Sequence, residues 1–147
     1  MTSEVEHVGF TGTRMGLSSK QRHSLRTVLA ELKNDGALWF HHGDCVGADE
    51  ESHQVAKALG YKTHAHPPDQ MAYAAVTLDA DITDEPAPYM VRNQAIVDMC
   101  AILIACPKQY PLNDQPKRSG TWSTVTKAER KGIPRVIIYA DGTVERA

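Results

Sequence analysis

Segments typical of strands and segments typical of helices alternate along the chain, and this alternation constrains the fold more than any other feature. Five short apolar runs are typical of buried strands: residues 7–11, 37–42, 61–66, 101–105 and 135–140. The fourth run, AILIA, is wholly apolar, as expected for a strand that is covered on both faces. Strands that alternate with helices predict a parallel sheet with helices packed on both faces.

The intervening segments carry helix start and stop signals. Ser18 opens a first helix with Gln21 three residues later, the spacing of a capping box. Gly60 and Gly132 stand where a helix commonly ends in a glycine. The order of elements predicts one Rossmann-like α/β domain over residues 1–147, a three-layer sandwich with a central, mainly parallel five-stranded sheet.

Composition narrows the functional classes. The formal net charge of −2 gives no general attraction to nucleic acid or to anionic membranes. The sequence has no apolar run of about 18 residues, and its first ten residues lack the layout of a signal peptide. Three cysteines without CxxC spacing fit reduced thiols. We therefore expect a cytoplasmic protein without a membrane or nucleic-acid partner.

Three glycine-bearing turns fall at the same edge of the predicted sheet. GTRMG follows the first strand, GDCVGAD follows the second, and RSGTW precedes the last helix. Glycine lets a ligand approach the backbone, and N–H groups at a helix start favour an anion. These turns predict a site for a phosphate-bearing small molecule. The predicted binding residues are Gly12, Thr13, Arg14, Gly43, Asp44, Gly47, Asp49, Arg118, Ser119, Gly120 and Thr121.

Some of these residues have two interpretations. Asp49 is either the N-cap of a second helix, which is the favoured interpretation, or a ligand contact. Asp44 is less easily explained as a cap and is suited to a ribose hydroxyl. Trp122 and Tyr89 either stack on a base or pack against a neighbour. Arg92 either contacts the ligand or pairs with Asp98 or the acidic stretch 79–85.

The stretch HHGDC at 41–45 raises the question of a metal site. His41 and His42 are adjacent, so on a strand they point to opposite faces. His42 would meet Asp44, His64 or His66 only if their strands are neighbours. Since no tight ligand spacing is present, we predict no metal and no cofactor, with histidines that line or flank the ligand pocket.

Residues 67–88 contain four prolines and an acidic run without a clear period. A connection of this length in a small domain is usually functional or mobile. The segment is predicted to be a loop and is a candidate lid over the ligand.

The chain from GFTGTR to RVIIYADG resembles the SLOG superfamily of Rossmann-like nucleotide-binding proteins. This superfamily includes LOG-like (lysine-decarboxylase-like) phosphoribohydrolases, YspA-like proteins and the DNA-processing protein A group. GDCVGAD is similar to the glycine turn of the YspA-like branch. YMVRNQAIVDMCAILIACP and RSGTWSTVTKAERKGIPRV are similar to LOG-like segments.

The resemblance implies a nucleotide ligand, a homodimer and a tentative catalytic role for Arg92. LOG-like enzymes use an arginine with a glutamate to cleave the N-glycosidic bond of a nucleoside monophosphate. Thr124 stands where that glutamate belongs, and Glu129 lies too far along the helix to replace it. Three hypotheses remain open: a nucleotide-binding protein, which is favoured; a phosphoribohydrolase; and a module for single-stranded DNA.

Overall fold

The computed structural model describes residues 5–108 and 119–147. Its strands are β1 (His7–Gly12), β2 (Trp39–His42), β3 (Lys62–Ala65), β4 (Ile82–Thr83), β5 (Ile102–Cys106), β6 (Arg135–Ile138) and β7 (Val144–Arg146). Its helices are α1 (Ser19–Asn34), α2 (Ala48–Ala58), α3 (Tyr89–Met99) and α4 (Gly120–Lys131). A single 3₁₀ turn spans Met71–Tyr73.

The strands form one sheet in the order β4-β3-β2-β1-β5-β6-β7. All pairings are parallel except that of β6 with β7. The chain moves outward from β1 through β2 and β3 on one side and through β5 and β6 on the other. The strand order therefore reverses beside β1, which is where open α/β sheets bind their ligands.

Two apolar clusters hold the helices to the two faces of the sheet. On one face, side chains of α1 and α2 such as Leu29 and Ala56 pack on Phe10 and Phe40. On the other face, side chains of α3 and α4 pack on Leu103 and Ile137. The predicted three-layer arrangement is thus confirmed.

The prediction of five strands is wrong, because the sheet has seven strands within the described residues. All five predicted strands are present, and the two additional strands lie at the edges. β4 has two exposed residues inside the segment predicted to be a loop, and β7 has three residues that are largely exposed. Strands this short and exposed carry no apolar alternation that a sequence pattern would reveal.

The helix signals are confirmed at α1 and α4 and at the Gly60 stop of α2, which follows the C-cap Leu59 with φ at 88°, and they are wrong only at the start of α2. The Ser18 side chain accepts a hydrogen bond from the Gln21 backbone N–H, and the Gln21 side chain accepts one from the Ser18 backbone N–H. Gly132 ends α4 with φ at 81°. At α2, however, the N-cap is Gly47 rather than Asp49, because the chain enters the helix at φ 91° and ψ −123°, a conformation suited to glycine.

Within the two described ranges, no helix is both long enough and apolar enough to cross a bilayer.

Gly47→Ala is expected to destabilise the fold more than Gly132→Ala. Both glycines have positive φ, but a Cβ at Gly47 would clash with the backbone carbonyl of Arg14, whereas a Cβ at Gly132 meets nothing within 4 Å. We expect a loss in the free energy of unfolding of about 1 kcal/mol for Gly132→Ala. For Gly47→Ala we expect about 3 kcal/mol or more. Urea unfolding measures both values, and equal losses would contradict the close approach at Gly47.

Candidate functional site

A cleft of about 890 Å³ opens at the carboxyl edge of the sheet, beside the reversal of strand order. Its floor is the end of β1 and the turn that follows it. The turn after β2 and the beginnings of α3 and α4 form its walls. Both the volume and the position are those of a typical small-molecule site in an α/β fold.

Most of the predicted binding residues line this cleft. They are Gly12, Thr13, Arg14, Gly43, Asp49, Arg92, Ser119, Gly120 and Thr121. Asp44 and Gly47 do not line it, and Arg118 lies outside the described residues. Other lining residues were not singled out from the sequence, among them Tyr73, Asn93 and Lys108.

Asp44 and Gly47 support the turn after β2 without lining the cleft. Asp44 is buried, and its Oδ1 accepts hydrogen bonds from the Thr77 backbone N–H at 3.0 Å and the Thr77 hydroxyl at 2.6 Å. Its carboxylate therefore holds the 67–88 segment. Gly47 lets the turn touch the Arg14 backbone, and the Ala48 N–H donates to the Thr13 carbonyl at 3.0 Å. These contacts join the first two glycine turns into one wall.

Arg92 is buried, and its guanidinium contacts backbone oxygens rather than carboxylates. Its Nη1 donates to the carbonyl oxygens of Gly43 and His66, the latter at 3.3 Å, and its Nε donates to Asn93 Oδ1 at 2.8 Å. Gly43 is needed here because a Cβ would run into the guanidinium. Of the two interpretations of Arg92, the pairing with Asp98 or the acidic stretch is wrong for the described residues, since Asp98 instead pairs with Lys131 at 3.4 Å.

Asp49 lies one residue inside α2 and faces the cleft from a buried position. Its Oδ2 accepts a hydrogen bond from the Cys45 N–H at 3.2 Å, but its Oδ1 has no partner in the described parts of the chain. Burial raises the pKa of this carboxyl from 3.8 to about 6, a shift that the nearby positive charge of Arg92 opposes only in part. A buried acceptor without a partner is a costly arrangement that a ligand donor would relieve.

The beginning of α4 forms the opposite wall. The Ser119 hydroxyl accepts from the Trp122 N–H at 3.3 Å, and none of the described residues lies within 4 Å of the position that a Cβ on Gly120 would take. The first N–H groups of a helix have no partner within the helix and point outward along its axis. Thr124 does not line the cleft, because it is fully buried and its hydroxyl donates to the Gly120 carbonyl at 2.9 Å. Trp122 is buried against the core of this face and borders the cleft.

The 67–88 segment reaches the cleft through Tyr73. The Arg14 guanidinium lies 4.0 Å from the centroid of the Tyr73 ring, a cation–π contact at the cleft mouth. The turn after β2 contacts the same segment, because the Val46 N–H donates to the Tyr73 carbonyl at 3.0 Å. Only the length of the segment in the sequence indicated such a role.

The histidines form two groups on opposite faces of the sheet. His41 meets His66 across the strands, with Nδ1 and Nε2 2.9 Å apart, and its ring lies 4.7 Å from that of His64. His42 instead faces α2, where its Nε2 lies 3.0 Å from His53 Nδ1. The suggestion that His42 meets His64 or His66 is therefore wrong, because the pleat turns His41 toward them and His42 away. None of these imidazoles is among the residues that line the cleft.

Burial keeps the imidazoles of His41, His42 and His66 neutral. It lowers the pKa of His41 to about 2, that of His42 to about 3 and that of His66 to about 4, and the neighbouring imidazoles add to each shift.

Cys45 borders the cleft but is poorly suited to act as a nucleophile. Burial, together with the negative charge of Asp49, raises the pKa of its thiol. The thiolate is the reactive form, so a raised pKa lowers reactivity.

Solved structures match this fold over nearly the whole described chain. The molybdenum cofactor binding protein from Rippkaea orientalis superposes with a TM-score of 0.69 at 19% identity, covering 95% of this chain and 77% of that one. The molybdenum cofactor carrier protein from Chlamydomonas reinhardtii gives a TM-score of 0.63 at 16% identity, covering 93% and 76%. DNA processing protein A from Streptococcus pneumoniae gives 0.62 at 20% identity, covering 90% of this chain and 49% of that protein.

No protein-family model and no curated protein sequence matches the chain. The structural matches are SLOG-superfamily proteins, so the resemblance inferred from the sequence motifs is confirmed at the level of the fold.

The stability of the protein is expected to depend on the ionisation of Asp49. Because the pKa of Asp49 is raised from 3.8 to about 6 in the folded protein, the folded state holds this proton more tightly than the unfolded chain. The stabilising contribution is fully present below about pH 4 and is lost as the pH rises through about 6. Relative to Asp49→Asn, the wild type should lose about 1–3 kcal/mol of unfolding free energy across this range.

Urea unfolding at several pH values measures that difference. Asp98→Asn is the control, because the hydrogen bond from Gln94 lowers the pKa of Asp98 and its contribution therefore has the opposite sign. A constant difference between the wild type and Asp49→Asn would contradict the raised pKa.

Proposed function

We propose that this protein binds a nucleotide or a phosphoribosyl-type ligand in the cleft at the carboxyl edge of the sheet. The observation that carries this proposal is the open start of α4 at Gly120, which faces the same cleft as Arg14 and Lys108. A helix N-terminus with no described group close before it, in a cleft that basic side chains also line, is suited to a phosphate group.

The rest of the cleft suits the other end of such a ligand. Aromatic side chains line it at Tyr73, Tyr89 and Trp122, and Asp49 Oδ1 is a buried acceptor without a partner in the described residues. The Tyr89 hydroxyl is likewise buried and has no hydrogen-bond partner there. A base with N–H donors and a flat ring would occupy these groups while its phosphate lies at α4.

Gly120→Val is expected to weaken ligand binding without unfolding the protein. The new side chain would enter the open space where the phosphate is proposed to lie, whereas the exposed position and ordinary backbone tolerate it. We expect affinity to fall at least about tenfold. The free energy of unfolding should change by less than about 0.5 kcal/mol.

A thermal-shift screen of nucleotides followed by calorimetry on each hit measures this effect. Thr126→Ile, on the exposed side of the same helix, is the control and should bind as the wild type does. Equal affinity of Gly120→Val and wild type for every hit would contradict the phosphate position.

Hydrolysis of the N-glycosidic bond is the second candidate function, and Asp49 is the residue that favours it. Thr124 is buried away from the cleft, so it does not occupy the position of a catalytic carboxylate. Asp49 is the one carboxylate among the described lining residues, and its raised pKa suits an acid–base role. Arg92 is adjacent to it but is held by backbone carbonyls.

Asp49→Asn separates binding from hydrolysis. If the wild type releases free base from a bound nucleoside monophosphate, the variant should lose at least about a hundredfold in rate. It should still bind the nucleotide at pH 7.5, because the amide oxygen of the asparagine remains an acceptor for a donor of the ligand. Product analysis by liquid chromatography checks the rate, and release of base by the variant at the wild-type rate would exclude Asp49 from the chemistry.

The structural matches add two ligands to the screen. Two of the matched proteins are named for binding or carrying the molybdenum cofactor, and one is named for DNA processing. A midpoint shift with the molybdenum cofactor and with no nucleotide would redirect the proposal to that ligand. A shift with single-stranded DNA alone would overturn the expectation that nucleic acid is not a partner. The homodimer stays a prediction.

A further inference from the structure

Three buried imidazoles converge between β2 and β3, outside the cleft. His41 and His64 are register partners on adjacent parallel strands, and His66 follows two residues after His64 on the same face. One ring nitrogen from each of the three lies within 4.8 Å of the others. The His64 and His66 rings are stacked, with centroids 4.2 Å apart.

One pair of the three ring nitrogens lies close to the spacing that a single ion requires. His41 Nδ1 and His66 Nε2 are 2.9 Å apart. Two nitrogens bound tetrahedrally to Zn²⁺ at the usual bond length would be about 3.3 Å apart. A ring nitrogen of His64 lies within 4.8 Å of both, so this side chain would move inward to complete the site.

Neighbouring groups are placed to orient the three rings. Asp84 lies against two of them, with Oδ1 2.8 Å from His64 Nε2 and Oδ2 3.0 Å from His66 Nδ1. His7 Nδ1 lies 2.9 Å from His41 Nε2, the nitrogen that does not face His66. A carboxylate or other acceptor on the outer nitrogen is the usual partner of a metal-binding histidine.

The histidines on the opposite face of the sheet, His42 and His53, use their ring nitrogens differently. There His42 contacts His53, and His53 Nε2 lies 2.8 Å from Asp79 Oδ1, so the ring nitrogens are used in a linear chain. In the first group, His66 Nδ1 is buried and lacks hydrogen-bond geometry within the described structure, despite its proximity to Asp84. The His66 Nδ1 atom therefore has no well-formed hydrogen bond within the described residues.

We propose that His41, His64 and His66 bind one divalent late transition-metal ion such as Zn²⁺, with Asp84 and His7 as orienting residues. Three nitrogen ligands leave the fourth tetrahedral position for solvent, and Asp84, whose side chain is 43% exposed, marks the route of entry. The ion would fasten the 67–88 segment, through Asp84, to the sheet. The His66 carbonyl, which accepts from Arg92, would be fixed at the same time.

The test is metal titration of the purified full chain after removal of metal with a chelator. Co²⁺ is the probe, because a site with three nitrogen ligands gives strong visible absorption bands that hexaaqua Co²⁺ lacks. We expect these bands to saturate at one Co²⁺ per chain and to disappear when one equivalent of Zn²⁺ is added. Zn²⁺ should also raise the thermal midpoint.

His64→Gln and His66→Gln should weaken Co²⁺ binding at least about a hundredfold, and Asp84→Asn about ten- to a hundredfold. His53→Gln removes an equally buried histidine from the other face and should bind as the wild type does. Circular dichroism establishes that each variant is folded. Asp84→Asn, at a partly exposed position, keeps the test decisive where a histidine variant does not fold.

Absence of the visible bands in wild-type protein with one equivalent of Co²⁺ would overturn the proposal. So would equal Co²⁺ affinity of the wild type and the folded His64, His66 or Asp84 variants, which would indicate adventitious binding elsewhere. Loss of binding in His53→Gln, with retention in His64→Gln, would assign the metal to the other face and equally overturn it.

Discussion

The contact of the Arg92 guanidinium with two backbone carbonyls is the interaction on which the site depends. Arg92 comes from α3, and it donates to Gly43 at the end of β2 and to His66 just past the end of β3. A buried guanidinium without such acceptors would cost several kcal/mol, so the two turns and the helix are held in one arrangement. Gly43 has no side chain because the guanidinium occupies that space. The shape of the cleft wall follows from this contact.

The acidic run within residues 67–88 also holds two parts of the molecule together, because it fixes this segment to the edge of the sheet. Three of its aspartates have specific partners: Asp79 contacts His53 and Lys57, Asp81 accepts from the Thr63 N–H, and Asp84 contacts His64 and His66. These contacts hold a segment that contributes few buried apolar side chains of its own. The acidic stretch is therefore not a freely solvated loop, because its aspartates hold it to the sheet and to α2. The same segment places Tyr73 at the cleft.

The sequence predicted the architecture because the buried strands and the helix caps have strong local signals. The apolar runs of β5 and β6, the Ser18–Gln21 capping box and Gly132 each act through neighbours a few residues away. The edge strands β4 and β7 escaped prediction because their residues are mostly exposed. The cap of α2 was misassigned because the need for Gly47 arises from Arg14, which is distant in sequence.

The difference between local signals and contacts distant in sequence also explains which parts of the candidate site could be predicted. Glycine turns marked its position, since the carboxyl ends of parallel strands meet at one edge. The partners of the histidines depended on the register of β2 and β3, which pairs His41 with His64 and turns His42 toward α2. No local pattern contains that register. Likewise, Lys108 and Tyr73 reach the cleft only through the path of the chain around it.

The electrostatics of the cleft set a condition on any ligand. The start of α4 forms one wall of the cleft, and the buried carboxyl of Asp49 lies in the opposite wall, near Arg92. A compact anion without donors would meet the Asp49 charge above about pH 6, where that carboxyl is ionised. In the proposed binding mode, a ligand that carries a phosphate at one end and N–H donors at the other satisfies both sides, because its donors would pair with Asp49 while its phosphate would lie at Gly120. That binding mode favours a larger, two-ended molecule over inorganic phosphate.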